Sequence, residues 1–327
     1  MLNTNALKAR DFPQLGIGAG SLANAGGEGA FVDTVRSAWN AGIRYFDTSA
    51  LYLGGESERR LGAALEHVPR DEVIFSTKIG RYQNHTGPSI DPDNKRSFYD
   101  YSADATRRSV ERSLERLKVE KIAAVFIHDL DHRFCGDAYP ELFMRARDEA
   151  YPALRQMKEE GIIGTIGVAA MDWRACLELA QAVDLDIMMP AGQYSLLKAE
   201  SRPLLDHCQQ NSIAWIAASP FNSGILATGA VEGAFYDMRP ATPEVFSQVQ
   251  ALEEICQAHG VRLAAAAVQF PLRHPAVTSV VFGAKSVEEF TQTHALFEED
   301  IPLDFWSEIE AFIARTTDWE TLGPSPT

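Results

Sequence analysis

Asp47, Tyr52, Lys78 and His128 each stand at the C-terminal edge of an apolar run or in the loop just after one. The runs are Gly-Ile-Arg-Tyr-Phe-Asp47, Val-Ile-Phe-Ser-Thr-Lys78 and Ala-Val-Phe-Ile-His128. In a parallel barrel, residues that follow strands converge on one mouth, where chemistry sits. An ammonium within ~4–6 Å stabilises a phenolate, and a carboxylate keeps that ammonium charged when it is buried. A tyrosine so placed exchanges a proton near neutrality. The set therefore points to redox chemistry on a hydroxyl or carbonyl. Singly, each residue has a structural explanation: Asp47 as a loop cap, Tyr52 as rim packing, Lys78 as half of a core ion pair. It is the four together, all at strand ends, that favour chemistry.

The elements that must position them follow from periodicity. Short apolar runs predict strands at 15–18, 45–47, 73–78, 123–128, 163–168, 187–189, 213–217 and 279–282. Helical stretches alternate with them. Over Ala103–Leu117, Val110, Leu114 and Leu117 recur at i, i+4 and i+7, the stripe of an amphipathic helix. Ser57 is the expected N-cap of a helix over 58–66. Eight strands alternating with helices imply parallel pairing and fit a closed (β/α)8 barrel better than an open sheet. The whole chain, 1–327, is expected to form this single domain. Three post-strand connections, 79–102, 129–142 and 219–244, are too long for plain turns and should overhang the mouth. Their aromatics (Tyr82, Phe98, Tyr99, Tyr101, Phe134, Tyr139, Phe235 and Tyr236) could build a pocket or merely pin the loops.

Composition narrows the classes. With 46% hydrophobic and 23% charged residues, the chain reads as an ordinary globular protein. A net charge of −15 argues against a nucleic-acid surface or docking on anionic membranes. Residues 1–14 are polar and do not resemble a signal peptide, and no run approaches the ~18–20 apolar residues of a spanning helix. Cys135, Cys176, Cys208 and Cys256 lack metal-like spacing and are expected to be reduced. A cytoplasmic location is the expectation, and no interface signature indicates an oligomeric state.

The chain resembles the aldo-keto reductase superfamily. The resemblance rests on Gly42-Ile-Arg-Tyr-Phe-Asp-Thr-Ser-Ala-Leu-Tyr52, Gly55-Glu-Ser-Glu-Arg-Arg-Leu-Gly62, Ser76-Thr-Lys78, Ile127-His-Asp129, Ile163-Gly-Thr-Ile-Gly-Val168 and Gly283-Ala-Lys-Ser286. These segments occur in order over nearly the whole chain. The resemblance implies a (β/α)8 barrel and a nicotinamide dinucleotide bound extended across the mouth. It implies Tyr52 as general acid/base, Lys78 as the charge that lowers its pKa, Asp47 as the holder of Lys78, and His128 as the group that orients the substrate oxygen. His128-Asp-Leu-Asp131, Gln193-Tyr-Ser-Leu-Leu197, Ser219-Pro-Phe-Asn-Ser-Gly-Ile-Leu226 and Ala264-Ala-Ala-Ala-Val-Gln-Phe270 are similar to the sugar-oxidising branch. That branch contains aldose 1-dehydrogenases acting on L-fucose, L-galactose and D-threo-aldoses, and related pyridoxal 4-dehydrogenases. The implied substrate is a small-molecule sugar or pyridoxal, and the implied reaction is oxidation of a cyclic hemiacetal to a lactone.

For the cofactor, the resemblance implies that Ser219, Phe221, Asn222, Ser223, Gly224 and Leu226 fold over the pyrophosphate, with small residues permitting close backbone approach. Gly283, Lys285 and Ser286 would meet the adenosine end. Glu288 and Glu289 would repel a 2′-phosphate and point to NAD, whereas Lys285 keeps NADP possible. The chain departs from the wider pattern where the nicotinamide is usually anchored: Ala169, Ala170, Ala191 and Ala218 stand there. Gln193, Tyr194 or Met171 would have to hold the ring instead.

Two other classes fit parts of the sequence. His128-Asp-Leu-Asp-His132 could suggest metal-dependent hydrolysis, but adjacent residues on a strand face opposite ways unless the strand has ended. No second His-x-His is present, so no metal is expected. A nicotinamide-binding sensor is the other, although the intact four-residue set favours turnover.

Overall fold

Eight parallel strands close into a barrel in which neighbours in space are neighbours in sequence. The structure, a computed structural model, describes residues 8–24, 27–83 and 97–317. The strands are β1 (Leu15–Gly18), β2 (Tyr45–Asp47), β3 (Ile74–Ile79), β4 (Ile122–His128), β5 (Ile163–Ala169), β6 (Ile187–Met188), β7 (Ala214–Ala218) and β8 (Val277–Gly283). β8 pairs with β1 to close the ring. Each boundary lies within two residues of its expected place.

Both faces of these strands are covered, which is why they read as nearly continuous apolar runs. Every residue of β3 and β4 is buried. Alternation then sorts the side chains. Tyr45, Ile74, Ala124, Phe126, Ile187 and Ile216 belong to one buried cluster. Their strand neighbours Phe46, Phe75, Val125 and Ile127 belong to a separate, larger core. Asp47, Lys78 and His128 follow the first set by parity, so they share its face at the C-terminal ends of β2, β3 and β4. The register brings those ends level: Asp47 stands opposite Gly18 and Ser76, and Ile79 opposite Ile127.

The helix Ala103–Leu117 has the expected bounds, with the Ser102 hydroxyl accepting from the Ala105 N–H as its cap. Ser57 corrects the expectation. The helix runs Glu56–Ala64 and starts after Gly54 and Gly55, both at positive φ, so Ser57 lies inside it. Its hydroxyl meets the Thr48 hydroxyl at 2.9 Å instead.

The three long connections carry structure of their own. In the first, Arg81–Gln83 pairs antiparallel with Ser97–Tyr99; its middle, 84–96, lies outside the described residues. The second holds short helices at His132–Cys135 and Tyr139–Arg145. The third holds a turn at Asn222–Gly224, a short helix at Ile225–Thr228 and a small hairpin at Phe235–Tyr236 and Arg239–Pro240. Arg133 of the second donates to both carboxylate oxygens of Asp237 in the third, at 2.8 and 2.9 Å. The aromatics divide between the two expected roles. Phe134 and Phe235 line a cleft, whereas the Tyr139 hydroxyl donates to Glu178, away from it.

Candidate active site

Lys78 is the hub of the site. Its Nζ donates to Asp47 Oδ2 at 2.6 Å, to the Thr48 carbonyl at 2.8 Å and to the Tyr52 hydroxyl at 3.4 Å. The other oxygen of Asp47 accepts from Ser76 Oγ at 2.7 Å, and Tyr45 meets Ser76 at 2.9 Å. Burial works against the Lys78 charge, but Asp47 and then Tyr52 outweigh it and hold the ammonium above its ordinary pKa. Tyr52 lies in the turn Tyr52–Gly55 just beyond β2. Burial is the largest influence on its phenol and raises its pKa; Lys78 pulls down, and Asp47 and Asp129 push up. Here the structure corrects the expectation of a phenol brought near neutrality. Loss of water around the phenolate outweighs one ammonium at 3.4 Å. As it stands, the site presents a protonated phenol beside a charged lysine.

His128, the last residue of β4, completes the set. Its ring lies edge-on to that of Tyr52, with centroids 6.0 Å apart. Burial lowers its pKa to about 3, so the imidazole is neutral. Its Nδ1 lies 3.1 Å from Ser49 Oγ, and its Nε2 lies 3.4 Å from Asp129 Oδ2. The Ser49 hydroxyl accepts from the Leu51 N–H at 3.1 Å, which leaves its O–H to donate to Nδ1, with the ring proton then on Nε2. The backbone of His128 is fixed too, because the Tyr101 hydroxyl donates to its carbonyl at 2.6 Å. Tyr101 can lie there because Gly80, at φ +95, has no Cβ; one would stand 2.0 Å from the ring.

β4 ends at His128, and Asp129 follows at φ +50, a left-handed conformation that aspartate tolerates better than most residues. The turn puts both side chains on the cleft, which strict strand alternation would forbid. Asp129 Oδ2 accepts from Arg81 Nη1 at 2.5 Å, and both side chains are buried. The Arg81 guanidinium lies 4.3 Å from the Phe134 ring centre. Among the described residues, no group of three or more His, Cys, Asp or Glu could hold a metal ion.

A cleft of about 760 Å³ opens over these residues, within the size range of small-molecule sites. Asp47, Tyr52, Lys78 and His128 line one end. Ser219, Asn222, Ser223 and Gly224, with Gly283 and Lys285, line the cleft too, as do the carboxylates Glu232 and Asp237. Ala169, Ala170, Met171, Met189, Ala191 and Ala218 form its apolar floor. The structure does not bring five of the expected cofactor residues to this wall. The Gln193 amide is buried and turned to the Ala191 carbonyl. Phe221 packs against the core, and Leu226 is buried within it. Ser286 caps the helix Val287–Phe297 by accepting from the Glu289 N–H at 3.2 Å. The Glu289 carboxylate accepts from the Lys285 N–H at 2.8 Å.

The wall combines small residues with a buried side-chain oxygen that still lacks a partner among the described residues. Asn222 is buried in the wall with its Nδ2 donating to the Gly192 carbonyl at 3.3 Å. Its Oδ1 has no partner among the described residues. Gly283 packs directly on Ser21, whose Oγ would stand 2.3 Å from a Cβ there, and both residues line the cleft.

The chain matches the Aldo/keto reductase family over residues 14–314. It belongs to that family. With it, the protein is an NAD(P)-dependent oxidoreductase. It is 34% identical to a D-threo-aldose 1-dehydrogenase from Pseudomonas sp, covering 91% of this chain and 93% of that protein. It is 33% identical to a pyridoxal 4-dehydrogenase from Microbacterium luteolum, covering 85% and 86%. The fold matches that of an aldo-keto reductase from Bacillus halodurans in its holo form, with TM-score 0.73, 22% identity and 91% of each chain covered.

Sequence reasoning missed Arg81, Ser49 and Met189 as members of this aldo/keto reductase site. Arg81 follows Ile79-Gly80 just after β3, and that position was its only available signal. Its partner Asp129 is 48 residues away. Among the described residues, no helix is long and apolar enough to cross a membrane.

Proposed function

We propose that this protein oxidises the C1 hemiacetal of an aldose, of the L-fucose, L-galactose or D-threo-aldose type, to its lactone, with NAD as the preferred acceptor. The observation that carries the reading is the Asp47–Lys78–Tyr52 chain of contacts, 2.6 and 3.4 Å long, set beside a neutral His128. Tyr52 takes the proton of the anomeric hydroxyl. Lys78 lowers the cost of the phenolate that does so, and Asp47 keeps Lys78 charged and in place. His128 donates from Nε2 to the same substrate oxygen and fixes its direction. The bound nicotinamide dinucleotide supplies the hydride-accepting carbon. One C–H and one O–H bond are lost and a carbonyl is formed, so hydride and proton balance.

Because burial holds the Tyr52 phenol above its ordinary pKa, the proton-accepting form grows with pH. Oxidation should therefore rise toward alkaline pH, and reduction should fall. Ser219, Asn222, Ser223, Gly224, Gly283 and Lys285 would hold the dinucleotide. Gln193, Phe221, Leu226, Ser286 and Glu289 would support that wall from behind. The carboxylate of Glu289, fixed next to Lys285, favours NAD over a 2′-phosphate. The four cysteines are free and buried, which suits a cytoplasmic setting.

Pyridoxal, which forms an internal hemiacetal, is the second reading. The apolar Met171, Phe134 and Phe235 on the cleft wall suit an aromatic ring. Initial rates at alkaline pH with L-fucose, L-galactose, D-arabinose and pyridoxal, each with NAD and then NADP, decide between them. Turnover of sugars with NAD is the expected result. Activity with pyridoxal alone would replace the substrate, and a preference for NADP would make Lys285 the governing residue.

A further inference from the structure

The buried pair Arg81–Asp129 is more than the proton chemistry needs. Among the described residues, Asp129 bonds through Oδ2 alone, accepting from Arg81 at 2.5 Å, with His128 Nε2 3.4 Å from the same oxygen. Its Oδ1 has no hydrogen-bond partner among the described residues, and the side chain lines the cleft. Arg81 fixes where that oxygen sits. Its Nε donates to Ser97 at 3.2 Å, and its guanidinium is packed between Phe134 at 4.3 Å and Tyr99 at 5.9 Å. An acceptor-only oxygen is thus held beside the histidine that faces the reacting oxygen. Adjacent hydroxyls on a carbon chain present the matching pair, one to accept from His128 and one to donate to Asp129.

We propose that Asp129, anchored by Arg81, is a specificity-determining residue: its Oδ1 accepts a hydrogen bond from a hydroxyl on the carbon next to the reacting centre. The inference rests on the aldose reading above and narrows it to substrates bearing a 2-hydroxyl donor. A hydrogen bond to a carboxylate is stronger than one to a neutral group, and a substrate lacking the hydroxyl leaves that oxygen unpaired.

The test is a ratio. For the aldose turned over best, kcat/KM is compared with that of its 2-deoxy analogue. The intact protein should prefer the hydroxylated sugar by about 10-fold or more, the worth of one charge-assisted hydrogen bond. In Asp129→Ala the ratio should fall to within about 3-fold of unity, once that bond is gone. Any damage to His128 or to the barrel rim lowers both substrates alike and leaves the ratio where it was. Should Arg81, buried without its carboxylate, keep the single variant from folding, the Arg81→Met/Asp129→Ala double removes both charges together and answers the same question. A ratio near one in the intact protein, or one that survives removal of Asp129, overturns the proposal and leaves the aldose reading standing. Absence of turnover with every aldose overturns both.

Discussion

The two sides of the barrel mouth are built on opposite principles. Over β2, β3 and β4 the cleft is lined by buried charge and hydrogen-bonding groups tied to one another: Asp47, Lys78, Tyr52, His128, Asp129 and Arg81. Over β5, β6 and β7 it is lined by Ala169, Ala170, Met189, Ala191 and Ala218, none of them ionisable. On the first side Asp47, Lys78 and His128 project from strand ends, where the backbone is fixed by its neighbours on both flanks. The second gives its polar groups to the connection after β7, at 219–237. A proton-transfer apparatus needs tightly held distances, whereas a long cofactor needs a smooth floor and many weak contacts. The contrast predicts that changes on the first side act on the chemical step, and changes on the second act on binding.

Tyr52→Phe breaks the first side most directly. It removes the proposed proton acceptor but keeps the ring, so turnover should fall at least ~10²-fold, the usual loss for a general acid/base. Dinucleotide affinity, read by quenching of protein fluorescence, should change little, because the floor and the 219–224 loop are untouched. Near-normal turnover in this variant would remove Tyr52 from the mechanism.

Lys78→Met should have the next largest effect, and its sign is fixed. Lys78 lowers the pKa of Tyr52, so its loss raises the pH at which the phenolate forms. The alkaline limb of the rate profile for oxidation should move up by about one unit or more, with roughly a tenfold loss per unit at a fixed pH below it. Asp47 is left buried without its cation, so Asp47→Asn/Lys78→Met serves as the companion variant. A limb that stays in place in both would show that another group sets the ionisation.

The difference between the two sides also decided what could be read from sequence. Strand-end residues obey parity: once β2, β3 and β4 are placed, Asp47, Lys78 and His128 must share a face. The barrel was legible for the same reason, because buried parallel strands spell continuous apolar runs. Loop residues obey no such rule. Ser223 and Leu226 lie three apart, yet one lines the cleft and the other is core, since Ser223 and Gly224 are at positive φ and reverse the chain between them. Gln193 stood in the right segment, but its amide turns to the Ala191 carbonyl. Ser57 failed as a cap because Gly54-Gly55 had already begun the helix. Asp129 was visible at the mouth, whereas its orientation depends on one left-handed residue and on Arg81 from another loop.

Asn222 offers the smallest and most discriminating test of the second side. Its φ of +46 is strained for an ordinary side chain, so Asn222→Ala would mix a backbone penalty with the loss of the amide. Asn222→Gly avoids this, because glycine adopts that conformation freely. The substitution removes the bond to the Gly192 carbonyl and the unpartnered Oδ1, while leaving the Asn222 N–H donating to the Ser219 carbonyl at 3.2 Å. One or two hydrogen bonds of ordinary strength are lost, so the KM for the dinucleotide should rise about 3- to 10-fold. Turnover at saturation and the pH profile should not move, since no contact to Tyr52, Lys78 or His128 changes. A fall in kcat with an unchanged KM would mean that the two sides are not separable, and that the loop sets the geometry of the proton-transfer residues as well.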